Sequence, residues 1–258
     1  MNRLLLLLTA ITMAGYANAQ ISLGHRAGLS IASQQSDNEA FLQGRGIGGS
    51  PIDDPHALMG VSSAFVMEAM IKPYIGVQVE LGITQKGRQI SEKTFDDGRD
   101  YYRLRLNYGE GQLLLKGTVG KGTVKGNLLG GISFGRGLSA VERGKFSVDS
   151  LSGEVIDRRD SASIKELEDR FIDFDAVTKG FLAPTELCWV AGAGVSFELG
   201  RSRLFLEGRF TQGLTAIYNG ELNEPDVFNR SILVQLGYLV RLNDLKVTKP
   251  VAPDAPAY

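Results

Sequence analysis

The sequence predicts an all-β chain that folds as an eight-stranded antiparallel up-and-down transmembrane β-barrel with long extracellular loops. Three observations predict it: an N-terminal export signal, eight segments in which apolar and polar residues alternate, and short connections that take turns with long ones. After the N-terminal segment, no apolar run reaches the roughly 20 residues that a spanning helix needs. The alternation of apolar and polar residues, and not mean hydropathy, therefore indicates that this chain crosses a membrane as β-strands.

The first segment, residues 1–19, has the features of a cleaved signal peptide. Arg3 precedes an apolar stretch, and Ala17-Asn18-Ala19 is the small-x-small pattern of a cleavage site. We expect cleavage before Gln20, which the intact mass of the mature chain would test. The barrel domain then covers residues 20–243, and residues 244–258, which contain three prolines, form a periplasmic tail.

Charge and cysteine content argue against several other classes of protein. The 28 basic and 29 acidic residues give a net charge of −1 and no basic face for nucleic acid. The single Cys188 cannot form an internal disulfide, and we interpret it as a small buried group. We expect no cofactor and no bound metal. We expect a monomer in contact with outer-membrane lipids, with protein partners at the cell surface or in the periplasm.

Alternation is clearest in the third of the eight segments. There Ile75, Val77 and Val79 lie on one face of a strand, while Gln78 and Glu80 lie on the other. In the fourth segment the apolar face changes parity, and a β-bulge at residues 109–111 would restore one outer face. The predicted strands cover residues 22–32, 57–71, 73–85, 101–116, 122–140, 185–199, 203–218 and 231–242.

The connections between these strands sort by length. Short connections are predicted at residues 72–73, 118–121 and 200–202, and long polar ones at residues 33–56, 86–100, 141–184 and 219–230. Outer-membrane barrels have short periplasmic turns and longer outer loops, and an even strand number places both termini in the periplasm. Within the longest loop, a capping box at residues 163–166 and apolar residues at helical spacing predict a short amphipathic helix.

Six sequence segments, taken together in their order and spacing, cover most of the mature chain. They are HRAGLS (25–30), VQVELGITQKGR (77–88), EGQLLLKG (110–117), VAGAGVSFELG (190–200), LFLEGRFTQGL (204–214) and LVQLGYLVRL (233–242). In these segments the chain resembles the PorT-like outer membrane β-barrel proteins of Bacteroidetes. Gln112 departs from the pattern, because proline is common there. The resemblance implies an outer-membrane barrel; a role in protein secretion belongs to some members and is not carried over.

A barrel of eight strands encloses an interior just wide enough for side chains to fill, so we expect a plugged lumen. Isolated buried charges are very costly, and inward charges must therefore be paired. The residues predicted to form such a structural ion-pair network are Glu68, Glu80, Arg103, Arg105, Lys116, Glu207, Arg209 and Arg241. Two alternatives stay open: these charges line a narrow path for a small polar solute, or the barrel is associated with secretion.

Two further classes of function stay open at this point. A hydrolase needs a nucleophile or an activated water with a base, most often histidine, and the chain has only His25 and His56, the latter after Asp53-Asp54-Pro55. A soluble periplasmic lipid carrier would use the same alternation with its apolar face inside. We favour a non-enzymatic barrel with a structural or partner-binding role for its outer loops, above all residues 141–184.

Overall fold

The computed structural model describes residues 19–36, 56–93, 99–147, 164–172, 183–217 and 226–242. The described residues form nine strands: β1 Gln20–Ser36, β2 His56–Lys72, β3 Ile75–Lys93, β4 Arg99–Val119, β5 Val124–Ser147, β6 Ile164–Ile172, β7 Thr185–Leu199, β8 Ser202–Gly213 and β9 Val227–Arg241. They contain no helix long and apolar enough to span a bilayer. The predicted signal peptide, the periplasmic tail and residues 53–55 lie outside the described residues and stay predictions.

Eight of these strands close into a barrel. The strand order is β4-β3-β2-β1-β9-β8-β7-β5, and an additional pairing of β4 with β5 joins the two ends. Every neighbouring pair is antiparallel. The predicted all-β, eight-stranded antiparallel barrel is therefore confirmed. β6 lies outside the ring, paired with β5 where β5 extends past the end of β7.

The pairing register fixes the stagger of the barrel. One path along the ladders runs from His25 through Phe65, Leu81 and Gly111 to Phe134 of β5. The opposite path runs from His25 through Tyr238, Leu204 and Phe197 to Val124 of β5. The two end points differ by ten residues (134 − 124), which is the shear of the barrel. With eight strands, this shear tilts the strands by roughly 40° and leaves an interior that side chains can fill.

The two faces of the barrel have opposite chemistry. Phe65, Leu81 and Leu115 expose 75%, 65% and 65% of their area on the outside, whereas Gln78 and Glu80 are 0% and 1% exposed in the lumen. A carrier of apolar ligands needs the reverse arrangement. The soluble lipid-carrier alternative is therefore wrong for this chain, because its lumen is lined with polar and charged side chains.

The short connections lie at one end of the barrel. They are the turns at residues 73–74, 120–123 and 200–201, where Gly120, Gly122 and Gly200 adopt positive φ angles of 109°, 83° and 66° that favour glycine. Gln20 and Leu242 lie at this same end. We call it the turn end, and we call the opposite end, from which β3, β4 and β5 extend, the loop end.

Two features of the loop end differ from the sequence prediction. Residues 86–100 are not mainly a loop, because β3 continues to Lys93 and β4 begins at Arg99. The helix predicted within residues 141–184 is wrong as well, since Ile164–Ile172 is strand β6. An isolated helix of so few residues is marginal in water, and the protruding edge of β5 offers backbone hydrogen bonds to a strand instead.

The predicted bulge at residues 109–111 is also wrong. Alternation in β4 runs without a break, so Leu104, Leu106 and Tyr108 point into the lumen, where they are 3%, 0% and 1% exposed. Leu113 and Leu115 point outward. The irregularity lies in the partner strand, because Asn107 pairs with Ser139 and Tyr108 with Gly137. The apolar residues in the loop-end half of β4 therefore point inward, where they close the loop end of the lumen.

One large aromatic side chain shows how the lumen is packed. Phe205 is an apolar residue on the otherwise polar inward face of β8, and it is 1% exposed. Its ring lies over Gly237 of the paired strand, where a Cβ atom would stand 2.1 Å from the Phe205 Cζ atom. Gly237 therefore leaves the space that the ring occupies.

We expect Gly237→Leu to destabilise the barrel, because the new side chain must displace Phe205 within a filled interior. The cost should be about 1–3 kcal/mol or more, seen as a lower temperature of conversion from the fast-migrating folded form to the unfolded form in gel electrophoresis. Gly208→Leu is the matched control, since Gly208 faces outward and a Cβ atom there has its nearest neighbour at 4.0 Å. Equal behaviour of the two variants would contradict this packing.

Candidate functional site

The candidate site is the lumen. Among the described residues, ten charged side chains are buried there. Five are glutamates and five are cations, so their formal charges cancel. Each lies on an inward position of a barrel strand. They are Glu68, Glu80, Glu110, Glu186, Glu207, Arg26, Lys86, Lys116, Arg203 and Arg209.

Arg209 lies at the centre of this network. Its guanidinium donates to both carboxylate oxygens of Glu80, at 2.9 and 2.8 Å, and twice to Glu207 Oε2, at 3.2 and 2.7 Å. A fifth bond reaches Gln112 Oε1 at 3.1 Å. All five N–H groups of the guanidinium therefore have acceptors. Arg26 approaches Glu80 Oε2 from the other side at 2.6 Å.

Towards the turn end, the network continues through Glu68. The Lys116 Nζ atom lies 2.8 Å from Glu68 Oε2 and 3.6 Å from Glu207 Oε1. Arg203 pairs with Glu68 as well. The Lys116 ammonium also lies 5.6 Å from the centre of the Phe205 ring, a favourable cation–π distance. The turn-end cluster is thus linked to Arg209 through Glu207.

Towards the loop end, one lysine lies between two carboxylates. The Lys86 Nζ atom lies 2.7 Å from Glu110 Oε1 and 2.8 Å from Glu186 Oε2. Cys188 Sγ is 3.6 Å from the same ammonium, and the Tyr108 ring centre is 5.2 Å away. Gln112 donates to Glu110 as well as accepting from Arg209. The side-chain contacts therefore run along the lumen without a break.

Apolar side chains lie on both sides of these charges. Near the turn end, Val66, Phe205 and Leu239 form one buried cluster, and Leu114, Leu129 and Val190 form another. At the loop end the buried inward-facing residues are largely apolar, among them Leu58, Leu104, Leu106 and Ala140. These groups exclude water from the ion pairs, which strengthens each pair and makes an unpaired charge more costly.

The structure places five of the eight predicted lumen residues in this network: Glu68, Glu80, Lys116, Glu207 and Arg209. Arg241 lies at the turn-end mouth, where it bonds Glu198 at 2.9 Å with about a quarter of its side chain exposed. Arg103 and Arg105 do not join the network. They share the outward face of β4 with Leu113, because β4 has no bulge to change its parity.

Sequence reasoning missed five members of the network, namely Arg26, Lys86, Glu110, Glu186 and Arg203. Glu110 was hidden by the predicted bulge, and Lys86 by the assignment of its segment to a loop. Arg26 could have been found from its parity, because Ser22 and Ser30 mark the same inward face of β1. Glu186 and Arg203 lie at strand ends, where alternation alone does not tell lumen from rim.

The two histidines do not form a catalytic group in the described residues. His25 is exposed on the outer surface, where its Nε2 atom lies 2.9 Å from Ser63 Oγ and its ring packs edge-on against Phe65. No carboxylate that the structure describes bonds to this pair. The backbone of His56 begins β2 at the loop end, opposite Gln89. Among the described side chains, no three acidic, histidine or cysteine groups converge as metal ligands.

A closed barrel with an apolar outer surface and a charge-paired interior defines an integral outer-membrane barrel. The chain belongs to the outer membrane protein beta-barrel domain family, whose model matches residues 16–219. The protein is located in the outer membrane. A search of the curated proteins finds no match.

Several solved structures are similar to this chain at low sequence identity. The outer membrane protein OprG from Pseudomonas aeruginosa is 11% identical over 88% of this chain and 98% of its own, with a TM-score of 0.40. Neisserial surface protein A (NspA) is 12% identical over 86% and 97%, with a TM-score of 0.38. The outer membrane protease OmpT from Escherichia coli is 14% identical over 87% and 96%, with a TM-score of 0.37.

We expect Glu80→Leu to lower the unfolding temperature in detergent. The substitution leaves Arg26 and Arg209 without their shared carboxylate, and breaking a buried ion pair costs about 3–5 kcal/mol. Heat-modifiable migration measures the effect. Glu198→Leu at the turn-end mouth is the control and should cost much less, since its nearest partners, Lys125 and Arg241, are each about a quarter exposed and remain hydrated. An unchanged unfolding temperature for Glu80→Leu would show that the ion pairs of Glu80 do not stabilise the barrel.

Proposed function

We propose that this protein is a non-conducting, non-enzymatic outer-membrane barrel whose lumen charges have a structural role and whose loop end binds partners. The observation that carries the proposal is the continuous, charge-neutral network from Glu186 to Arg203. An ion or polar solute that entered the lumen would have to break several desolvated pairs. Each broken pair leaves a buried charge without a partner, which costs several kcal/mol.

A narrow solute channel is the second candidate for the same lumen. A path for ions needs groups that bind the ion and then release it, together with water along the way. Arg209 and Lys86 instead hold their glutamates at 2.7–2.8 Å with nearly complete burial. Apolar residues at Phe205 and Leu106 occupy the lumen nearer its two ends. These features favour a plug.

The orientation that we propose places the turn end in the periplasm and the loop end outside. Short turns and both strand termini share the turn end, as in outer-membrane barrels generally. The sequence resemblance separately supports assignment to the PorT-like proteins of Bacteroidetes. We propose that assignment as a finer placement within the family, without a role in secretion.

Catalysis is not part of the proposal. The His25 and Ser63 pair faces the lipid side of the barrel, where hydrocarbon and not water surrounds it. A hydrolytic base needs access to water and a third group that orients it. His25 has a hydroxyl partner and an aromatic neighbour, but no carboxylate partner among the described residues.

The purified protein should show no stable conductance in planar bilayers, because the lumen pairs leave no hydrated path. Reproducible single-channel steps comparable to those of porins would contradict the filled lumen. Removal of both members of a pair, Glu80→Ala with Arg209→Ala, serves as the positive comparison. It takes two large side chains out of the centre of the lumen and leaves space for water, and we expect it to conduct more often than the parent protein.

Removal of the loop-end segment 148–163 tests the partner-binding role. We expect this deletion to keep the barrel folded, because it leaves the nine described strands intact, and to change the set of surface partners that crosslink to the protein in cells. Heat-modifiable migration is the folding control. An unaltered partner set for a folded deletion variant would remove this segment from the proposed contact surface.

A further inference from the structure

The outer surface of β4 carries a groove. Gly109 and Gly111 face outward and have no side chains, whereas their partners on β3 and β5 have large ones. On the β3 side stand Ile83 and Leu81, and on the β5 side stands Phe134, each of them more than half exposed. We call this the β4 groove and define it by Leu81, Ile83, Gly109, Gly111, Phe134 and Leu138.

The groove is open rather than filled by its neighbours. A Cβ atom at Gly111 would have Leu81 Cδ2 as its nearest atom at 3.5 Å, and a Cβ atom at Gly109 would have its three nearest atoms in the Leu138 side chain, at 3.6–3.7 Å. These distances are ordinary van der Waals contacts. An extended hydrocarbon chain can therefore lie along β4 and contact walls on both sides.

Arginines stand beside the loop-end half of this groove and just beyond it. Arg136 is exposed and pairs across the ladder with Gly109, and Arg105 lies four residues further along β4. Arg103 follows, and its guanidinium bonds Gln89 Oε1 at 2.9 and 3.2 Å. Within the described part of the chain, neither Arg105 nor Arg136 has an ion-pair partner, and Arg105 Nε is buried without a hydrogen bond.

Measured along β4, Arg105 and Arg103 lie beyond the hydrocarbon core, and Arg136 lies near its edge. The outward positions of β4 from Val119 to Asn107 rise about 30 Å along the barrel axis, given roughly 3.4 Å per residue and the strand tilt. That distance matches the hydrocarbon core of a bilayer. Arg105 and Arg103 come directly after it, and the long Arg136 side chain can reach the same boundary.

We propose that the β4 groove and these arginines bind one phosphorylated glycolipid of the outer leaflet, with an acyl chain in the groove and a phosphate between Arg105 and Arg136. Guanidinium groups bind phosphate oxygens in pairs of hydrogen bonds, so a phosphate suits two arginines that have no ion-pair partner among the described residues better than a neutral headgroup does. The acyl chain gains packing and not dehydration, since its surroundings are apolar in either place. The phosphate therefore provides most of the selectivity.

The choice of leaflet rests on the orientation proposed above, whereas binding itself does not. Mature barrel in nanodiscs exposes both ends equally, so failure of lipid binding and failure of the orientation are separate results. Conductance measurements address the lumen and are independent of this outer surface. A second copy of the chain packed on the groove is the competing occupant.

The test uses the full mature protein in phosphatidylcholine nanodiscs, titrated with lipid A and, separately, with lipid A whose phosphates have been removed. Native mass spectrometry counts bound lipid. We expect one lipid A per barrel. The double variant Arg105→Gln with Arg136→Gln should bind lipid A at least roughly tenfold more weakly, given the contribution of each basic residue at an anionic surface. Gly111→Leu should also bind more weakly, because its side chain fills the groove.

Matched controls lie elsewhere on the outer surface. Arg230→Gln removes an outward arginine of β9 that lies over Phe210, and Gly208→Leu adds a side chain at an outward glycine of β8. Both should bind lipid A as the parent does, and heat-modifiable migration shows that each variant is folded. The proposal would be overturned if dephosphorylated lipid A bound as tightly as lipid A, or if Arg230→Gln lost as much binding as the Arg105→Gln, Arg136→Gln double variant. It would also be overturned if the parent protein were a dimer that Gly111→Leu dissociates.

Discussion

The structure depends on one constraint: hydrocarbon around the barrel offers no hydrogen bonds, so every polar group within the membrane must find its partner inside the protein. The closed ladder satisfies the backbone, because β4 pairs with β5 and leaves no edge within the ring. Alternation then fixes the side chains. If the apolar residues of β3 face lipid, Gln78 and Glu80 must face the lumen.

The lumen in turn has room for few waters, and its charges must therefore neutralise one another. A shear of ten with eight strands gives a narrow interior, and ten buried charges share it. Arg209 meets this requirement with five hydrogen bonds to three side chains. Removing any one of its carboxylates leaves a charge that neither water nor lipid can solvate. The same tightness that stabilises the barrel argues against a pore.

The errors in assigning the side chains of β4 to the inner or outer face share one physical origin. Alternation reports which residues share a face, but not which face meets lipid at a given height. Near the loop end the lumen is closed by apolar side chains, so Leu104 and Leu106 point inward although they look like lipid-facing residues. Reversing that assignment also moved Arg103 and Arg105 from the lumen to the outer surface, where they join Arg136 above the β4 groove.

The sequence by itself determined the all-β class, the number of barrel strands and the antiparallel order, because strand periodicity and connection length are local properties. It also identified half of the buried charges, those on strands with clean alternation such as Glu80 and Arg209. Only the tertiary structure decided who pairs with whom. Lys86 meets Glu186 one hundred residues away, and such a contact follows from the stagger of a closed barrel, which no single segment encodes.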